Sequence, residues 1–139
     1  MKLTVDTKES PFEIINCSIS DIYKQVEKID GKNTSFLILE NSKGDYLQCA
    51  GNSDAITVEL RIYHDYKLKK FEHFRIGKEK DTNPFDTNWK QIMCKIGPIE
   101  VYHNEILNKQ DVSNLYKDFF TTCQISENWS KRNISKTFK

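Results

Sequence analysis

Hydrophobic and polar positions alternate most cleanly over Ile56–Tyr63. There Ile56, Val58, Leu60 and Ile62 take turns with Thr57, Glu59, Arg61 and Tyr63. A period of two places the first set on one face of a strand and the second on the other, so the segment predicts a strand with one buried and one wet face. Phe36–Glu40 is a near-continuous apolar run, which suits a strand covered on both faces. Tyr46–Ala50 returns from it. The connections Asn41–Gly44 and Gly51–Asp54 carry turn residues, with Gly44 free to take positive φ. The run Ser35–Tyr63 thus predicts three consecutive strands joined by tight turns.

The strand pattern continues on both sides. Met1–Val5 reads as a short strand or a frayed end. After a charged connection over His64–Lys70, Lys70–Gly77 predicts another strand, in which Phe71, Phe74 and Ile76 break strict alternation and point to a bulge or an end-of-strand twist. Gly77–Asn88 is polar and contains Pro84, the pattern of a mobile loop. Trp89–Ile96 predicts a strand, Gly97-Pro98 a bend, and Ile99–His103 an edge strand or extended segment.

Two stretches carry helical spacing instead. Ile19, Ile22, Tyr23, Val26 and Ile29 form one stripe, with Ser18 as N-cap, Asp21 in the first turn and Gly31 as the terminating residue. Val112, Leu115, Tyr116, Phe119 and Cys123 form a second stripe, capped by Asn108 with Asp111 in its first turn. Ser126 is expected to start a last short helix carrying Trp129, and the basic tail Lys131–Lys139 to be loose except for Ile134 and Phe138. The order helix, strands, helix, with hairpin-length connections, predicts a single α+β domain over residues 1–139. Its sheet is mostly antiparallel, of about five or six strands, with helices packed mainly on one face.

Charge and composition narrow the function. Aromatic residues are 12% of the chain, enough for a proper core and against disorder. The net charge of +1 makes no global bid for nucleic acid or membrane. It is uneven, though: residues 1–60 hold 6 Lys/Arg against 10 Asp/Glu (−4), and residues 61–139 hold 15 against 10 (+5). The N-terminal segment has no long apolar stretch and no run reaches transmembrane length, which predicts a cytoplasmic, reduced protein. In that setting Cys17, Cys49, Cys94 and Cys123 are expected to be four buried thiols; their spacing forms no zinc or redox motif.

No spacing carries a reaction. His64, His73 and His103 stand in no ligand pattern. Cys49 and Cys94 lie inside predicted strands, where a core thiol is the plainer reading than a Cys–His nucleophile. The glycines never cluster into a phosphate-binding loop. Carboxylates such as Asp45 with Glu59, or Glu100 with Glu105, read as solvated charges rather than an acid–base pair. The chain is therefore expected to be neither an enzyme nor a holder of a cofactor or metal.

The strand block SFLILE–x4–DYLQCAG–x5–TVELRIY, followed by FEHFRIG, GPIEVYHNEIL and the helical DVSNLYKDFF, resembles a family of bacterial immunity proteins from polymorphic-toxin and contact-dependent growth inhibition systems. That resemblance implies a small cytoplasmic α+β protein that binds its cognate toxin's C-terminal domain and blocks the active site or substrate access. Deaminases and nucleases are among the toxins so paired. Inhibitors of nucleic-acid-acting toxins are often acidic, whereas this chain is near neutral, so any acidic complementarity is local. An inhibitor needs a rigid scaffold, a charged rim and a few aromatic or Arg anchors rather than catalytic groups. Asp45, Tyr46, Glu59, Arg61, Tyr63, Asp65 and Glu72 are the expected partner-binding residues, chosen for their predicted wet faces and strand ends. The other reading is a protein-binding adaptor unrelated to toxins, using the same surface.

Overall fold

The computed structural model describes residues 1–65, 67–78 and 89–138. Its strands are β1 (Lys2–Val5), β2 (Phe12–Ile15), β3 (Phe36–Glu40), β4 (Tyr46–Gly51), β5 (Ile56–Asp65), β6 (Lys70–Gly77), β7 (Trp89–Cys94), β8 (Gly97–Tyr102) and β9 (Ser130–Asn133). Its α-helices are α1 (Ile19–Glu27) and α2 (Lys109–Thr122). Among the described residues, seven strands form one antiparallel sheet in the order β2-β1-β3-β4-β5-β6-β9, and β7 and β8 pair as a separate hairpin. The fold is the expected α+β class, with a larger sheet than the five or six strands anticipated.

The core follows from the two periodicities. Register puts Leu3, Leu39, Leu47 and Leu60 in one row across β1, β3, β4 and β5, and Val5, Leu37, Cys49 and Val58 in the next. All of these are buried, together with Ile22 and Val26 of α1 and Val112, Leu115, Tyr116 and Phe119 of α2. The two apolar helix stripes therefore meet one apolar sheet face, and both helices lie on that side. Tyr116 solves its own polarity there: its hydroxyl donates to the Leu37 carbonyl at 2.8 Å, deep in the core.

Both caps form as the sequence predicts. Ser18 Oγ accepts from Asp21 N, and the Asp21 carboxylate accepts from Ser18 N; Asn108 and Asp111 repeat the reciprocal pair on α2. The helix ends differ from expectation. α1 stops at Glu27 with Lys28 as its C-cap, and Gly31 (φ +80°) serves the following turn, where its N–H donates to Thr34 O. Asp30 closes that turn early by accepting from the N–H groups of Lys32, Asn33 and Thr34, which competes with helix propagation. Cys123 leaves the helical stripe altogether: it caps α2 in the left-handed region at φ 58° and is exposed. Cys17 and Cys49 are buried and Cys94 partly so, which corrects the expectation of four buried thiols.

The largest differences lie at the sheet edges. Phe12–Ile15 forms the edge strand β2 ahead of α1. The expected helix at Ser126 is a turn, with Trp129 N–H donating to Ser126 O, and the tail expected to be loose supplies β9, paired to β6 from Phe74↔Asn133 to Gly77↔Ser130. Backbone N–H and C=O groups on the outer side of β6 need partners, and a polar, charged segment satisfies them as well as an apolar one. β5 runs on through Asp65, and its register slips between Tyr63 and Asp65, so the irregularity expected in β6 sits in β5. The loop expected over Gly77–Asn88 lies, from residue 79, outside the described residues. No helix among the described residues is long and apolar enough to cross a membrane.

Candidate functional site

The sheet face away from the helices carries the chemistry. Register aligns three rows across it. One runs Glu40, Tyr46, Arg61, His73; the next Ile38, Gln48, Glu59, Arg75, Arg132; the third Phe36, Ala50, Thr57. Tyr63 and Phe71 stand opposite each other at the end beyond Arg61. The alternation of β5 thus places Thr57, Glu59, Arg61 and Tyr63 on this face in a line.

Arg61 organises one end. Its guanidinium lies 4.1 Å from the Tyr46 ring centre, 5.0 Å from Tyr63 and 5.6 Å from Phe71. It also donates to the Gly44 carbonyl at 2.9 Å and sits 3.8 Å from the Glu40 carboxylate. Tyr63 and Phe71 meet edge to face at 5.6 Å. The cation is consumed internally, and its effect is to fix three partly exposed rings in place. Burial pushes the Tyr46 phenol above its usual pKa, outweighing the opposite pull of Arg61.

Glu59 organises the middle. Its Oε1 accepts from Arg75 Nη2 at 2.8 Å and its Oε2 faces His73 Nε2 at 3.0 Å, while Arg75 Nη1 donates to Thr57 Oγ1 at 2.7 Å. Burial would raise the Glu59 pKa. The hydrogen bond from His73 and the charge of Arg75 outweigh it and hold the carboxyl below its ordinary value. His73 is packed, 1% exposed, with Tyr46 and Phe71 edge-on to its ring.

The β7–β8 hairpin leans over the other end. Its inner face carries buried Ile92 and Val101. Its tip is pinned: Lys95 Nζ reaches the buried Asp6 carboxylate at 2.6 Å and Thr7 O at 2.7 Å, Lys95 N donates to Gly31 O, and Asn52 Nδ2 donates to Met93 O. Between hairpin and sheet lies a crevice of about 260 Å³, lined by Gln48, Ala50, Thr57, Glu59, Ile96 and Ile99. Beside it the outer hairpin face stacks Trp89 on Tyr102 at 4.1 Å. Arg132 sits 4.7 Å from the Tyr102 ring and is held by the buried Glu105 through two 2.9 Å bonds.

The structure brings together Tyr46, Glu59, Arg61 and Tyr63 of the residues singled out from sequence. Asp45 lies at the start of β4, nearly buried, and is used internally: it accepts from Tyr63 N and Asn41 Nδ2. Asp65 closes the β5–β6 turn by accepting from Leu68 N. Glu72 belongs to the helix-side register, opposite Ile62, where it contacts His64 and Asn133. Sequence reasoning did not select Gln48, Thr57, Phe71, His73, Arg75 or the hairpin residues Ile96 and Ile99. A strict period-two reading of Lys70–Gly77 held the signal for three of them, because it puts Phe71, His73 and Arg75 on one face. Among the described residues no cluster of His, Cys, Asp and Glu could hold a metal ion. No protein-family model matches this chain, and no curated protein matches it in sequence.

Proposed function

We propose that this chain is an immunity protein that binds a cognate bacterial toxin domain in the cytoplasm with the helix-free face of its sheet, closing the toxin's active site or substrate access. The observation that carries this reading is the group of Tyr46, Tyr63 and Phe71 gathered around Arg61, beside an open crevice on an antiparallel sheet. Rings already held in one arrangement lose little side-chain entropy on docking, and Tyr and Arg are enriched among the residues that dominate binding energy. Arg61 with Glu40 at one end, and Glu59 with Arg75 in the middle, are paired within the face, so selectivity for the partner falls to the fixed placement of the rings and the shape of the crevice. The near-neutral net charge suits recognition of a folded protein rather than mimicry of nucleic acid.

The test is rescue. The C-terminal domain encoded next to this chain is expressed in a sensitive host, alone, with the chain, and with its Tyr46→Ala/Tyr63→Ala variant. Growth restored by the parent and lost with the folded double variant is the expected result. A neighbouring domain that is harmless alone, or rescue unaffected by the two substitutions, would overturn the assignment.

A further inference from the structure

We infer that the crevice between the β7–β8 hairpin and the sheet receives a tyrosine side chain of the bound protein. This rests on the protein-binding reading above and names what enters the site. The argument begins with charge. The Glu59 carboxylate is matched by the Arg75 guanidinium beside it, so the sheet side of the crevice is close to neutral. An entering anion would meet Glu59, and an entering cation would compete with Arg75 and His73, which already hold the two Glu59 oxygens. A neutral group avoids both penalties.

Hydrogen-bonding capacity then selects the group. Each Glu59 oxygen accepts one bond, from Arg75 or from His73, and keeps further lone-pair capacity. Thr57 Oγ1 accepts from Arg75, which leaves its hydroxyl hydrogen to donate. The Gln48 side-chain amide has no hydrogen-bond partner among the described residues, although Gln48 lines the crevice and is half-buried. An occupant must therefore both donate and accept at one end, and a hydroxyl does so with a single atom: O–H to Glu59, lone pair toward Gln48 or Thr57. The remaining lining is Ala50, Ile96 and Ile99, with Ile96 55% exposed, which calls for a flat apolar body behind that hydroxyl. Size agrees. A cavity of about 150 Å³ holds a benzene, so about 260 Å³ holds a phenol ring with its hydroxyl and first carbon. A phenol presents an apolar ring and a polar tip in the same rigid unit.

The test uses N-acetyl-tyrosinamide and N-acetyl-phenylalaninamide as probes on the full chain, followed by amide NMR. Shifts confined to Gln48, Ala50, Thr57, Glu59, Ile96 and Ile99 are expected, with the phenylalanine probe binding about fivefold weaker. In Gln48→Leu, which keeps the side-chain bulk and removes the amide, the preference for the tyrosine probe should shrink but persist, because Glu59 still accepts from the hydroxyl and Thr57 can still donate to it. Equal binding to the parent chain, or shifts elsewhere on the sheet, would overturn the assignment without any need for the variant. Tyrosine-selective binding establishes the crevice whether or not the neighbouring domain is neutralised. Neutralisation without tyrosine selectivity overturns the crevice and leaves the interface standing.

Discussion

Glu59 of β5 and His73 of β6 meet diagonally across the sheet, Oε2 to Nε2 at 3.0 Å, on the face that neither helix covers. The same carboxylate bonds Arg75 directly opposite. One acidic side chain thus bonds two buried basic ones, and a change at Glu59 removes the carboxylate from beside both Arg75 and His73.

Glu59→Gln should therefore destabilise the fold by about 2–4 kcal/mol at pH 7, because removing one member of a buried ion pair leaves the others uncompensated. The pH dependence has a defined sign. Glu59 is held below its usual pKa in the folded state, so its contribution is present above the ordinary Glu range and is lost as pH falls through the depressed folded value. Urea denaturation of parent and variant from pH 7 down to pH 3 should show the stability gap narrowing toward the acid end. A gap independent of pH would remove this account.

Arg61→Lys should lose the ring contacts while keeping the charge. An ammonium cannot lie flat against Tyr46 while reaching Gly44 O. A loss of about 1 kcal/mol is expected. Aromatic side-chain NMR should show faster ring motion at Tyr46, Tyr63 and Phe71, and unchanged ring dynamics would contradict the organising role given to Arg61.

Lys95 pins the hairpin tip. Asp6 is 2% exposed and has Ser35 N and Lys95 Nζ as its partners among the described residues. Lys95→Met should cost about 2–3 kcal/mol by leaving that carboxylate buried with one partner fewer. Amide exchange should rise at Ile92 and Val101 ahead of the sheet strands. Exchange rising uniformly across the molecule would show that the hairpin opens only on global unfolding.

Cys123 sits at φ 58° on the surface, a conformation that costs a residue with a side chain more than it costs glycine. Cys123→Gly should raise stability by about 0.5–1 kcal/mol in thermal or urea unfolding. A loss of stability would mean the thiol makes a packing contribution its exposure does not suggest.

Thiol labelling separates the four cysteines. Burial pushes the Cys49 thiol up to about 11, and it also raises Cys17. In the native protein a maleimide should modify Cys123 within minutes and leave Cys49 untouched until the chain unfolds. Mass spectrometry of labelled peptides reads the order directly, and early modification of Cys49 would contradict the packing of α2 on the sheet.

Much of this arrangement is legible along the chain. The alternation of Ile56–Tyr63 put Thr57, Glu59, Arg61 and Tyr63 together on a strand face, and they are neighbours there. The two reciprocal helix caps and the Asn41–Gly44 turn also form where their residue types require, because each is closed by contacts within a few residues. Asp45 and Glu72 show where local reasoning ends. Both are polar residues at or near strand termini, yet one is buried to anchor Tyr63 N and the other faces the helix side.

The sequence by itself determined the alternation and the helical stripes, and with them the α+β class, the caps and the sidedness of β5, since these depend on backbone periods and contacts a few residues apart. Only the tertiary structure decided that Ser130–Asn133 closes the sheet against β6, that Lys95 ties a distant hairpin to Asp6, and that Gln48, Thr57 and Glu59 share a crevice with Ile96 and Ile99. Those pairings join residues far apart in the chain, and they are set by strand order, by unpaired edge backbone and by a buried carboxylate's need for a cation, none of which leaves a periodic mark in the sequence.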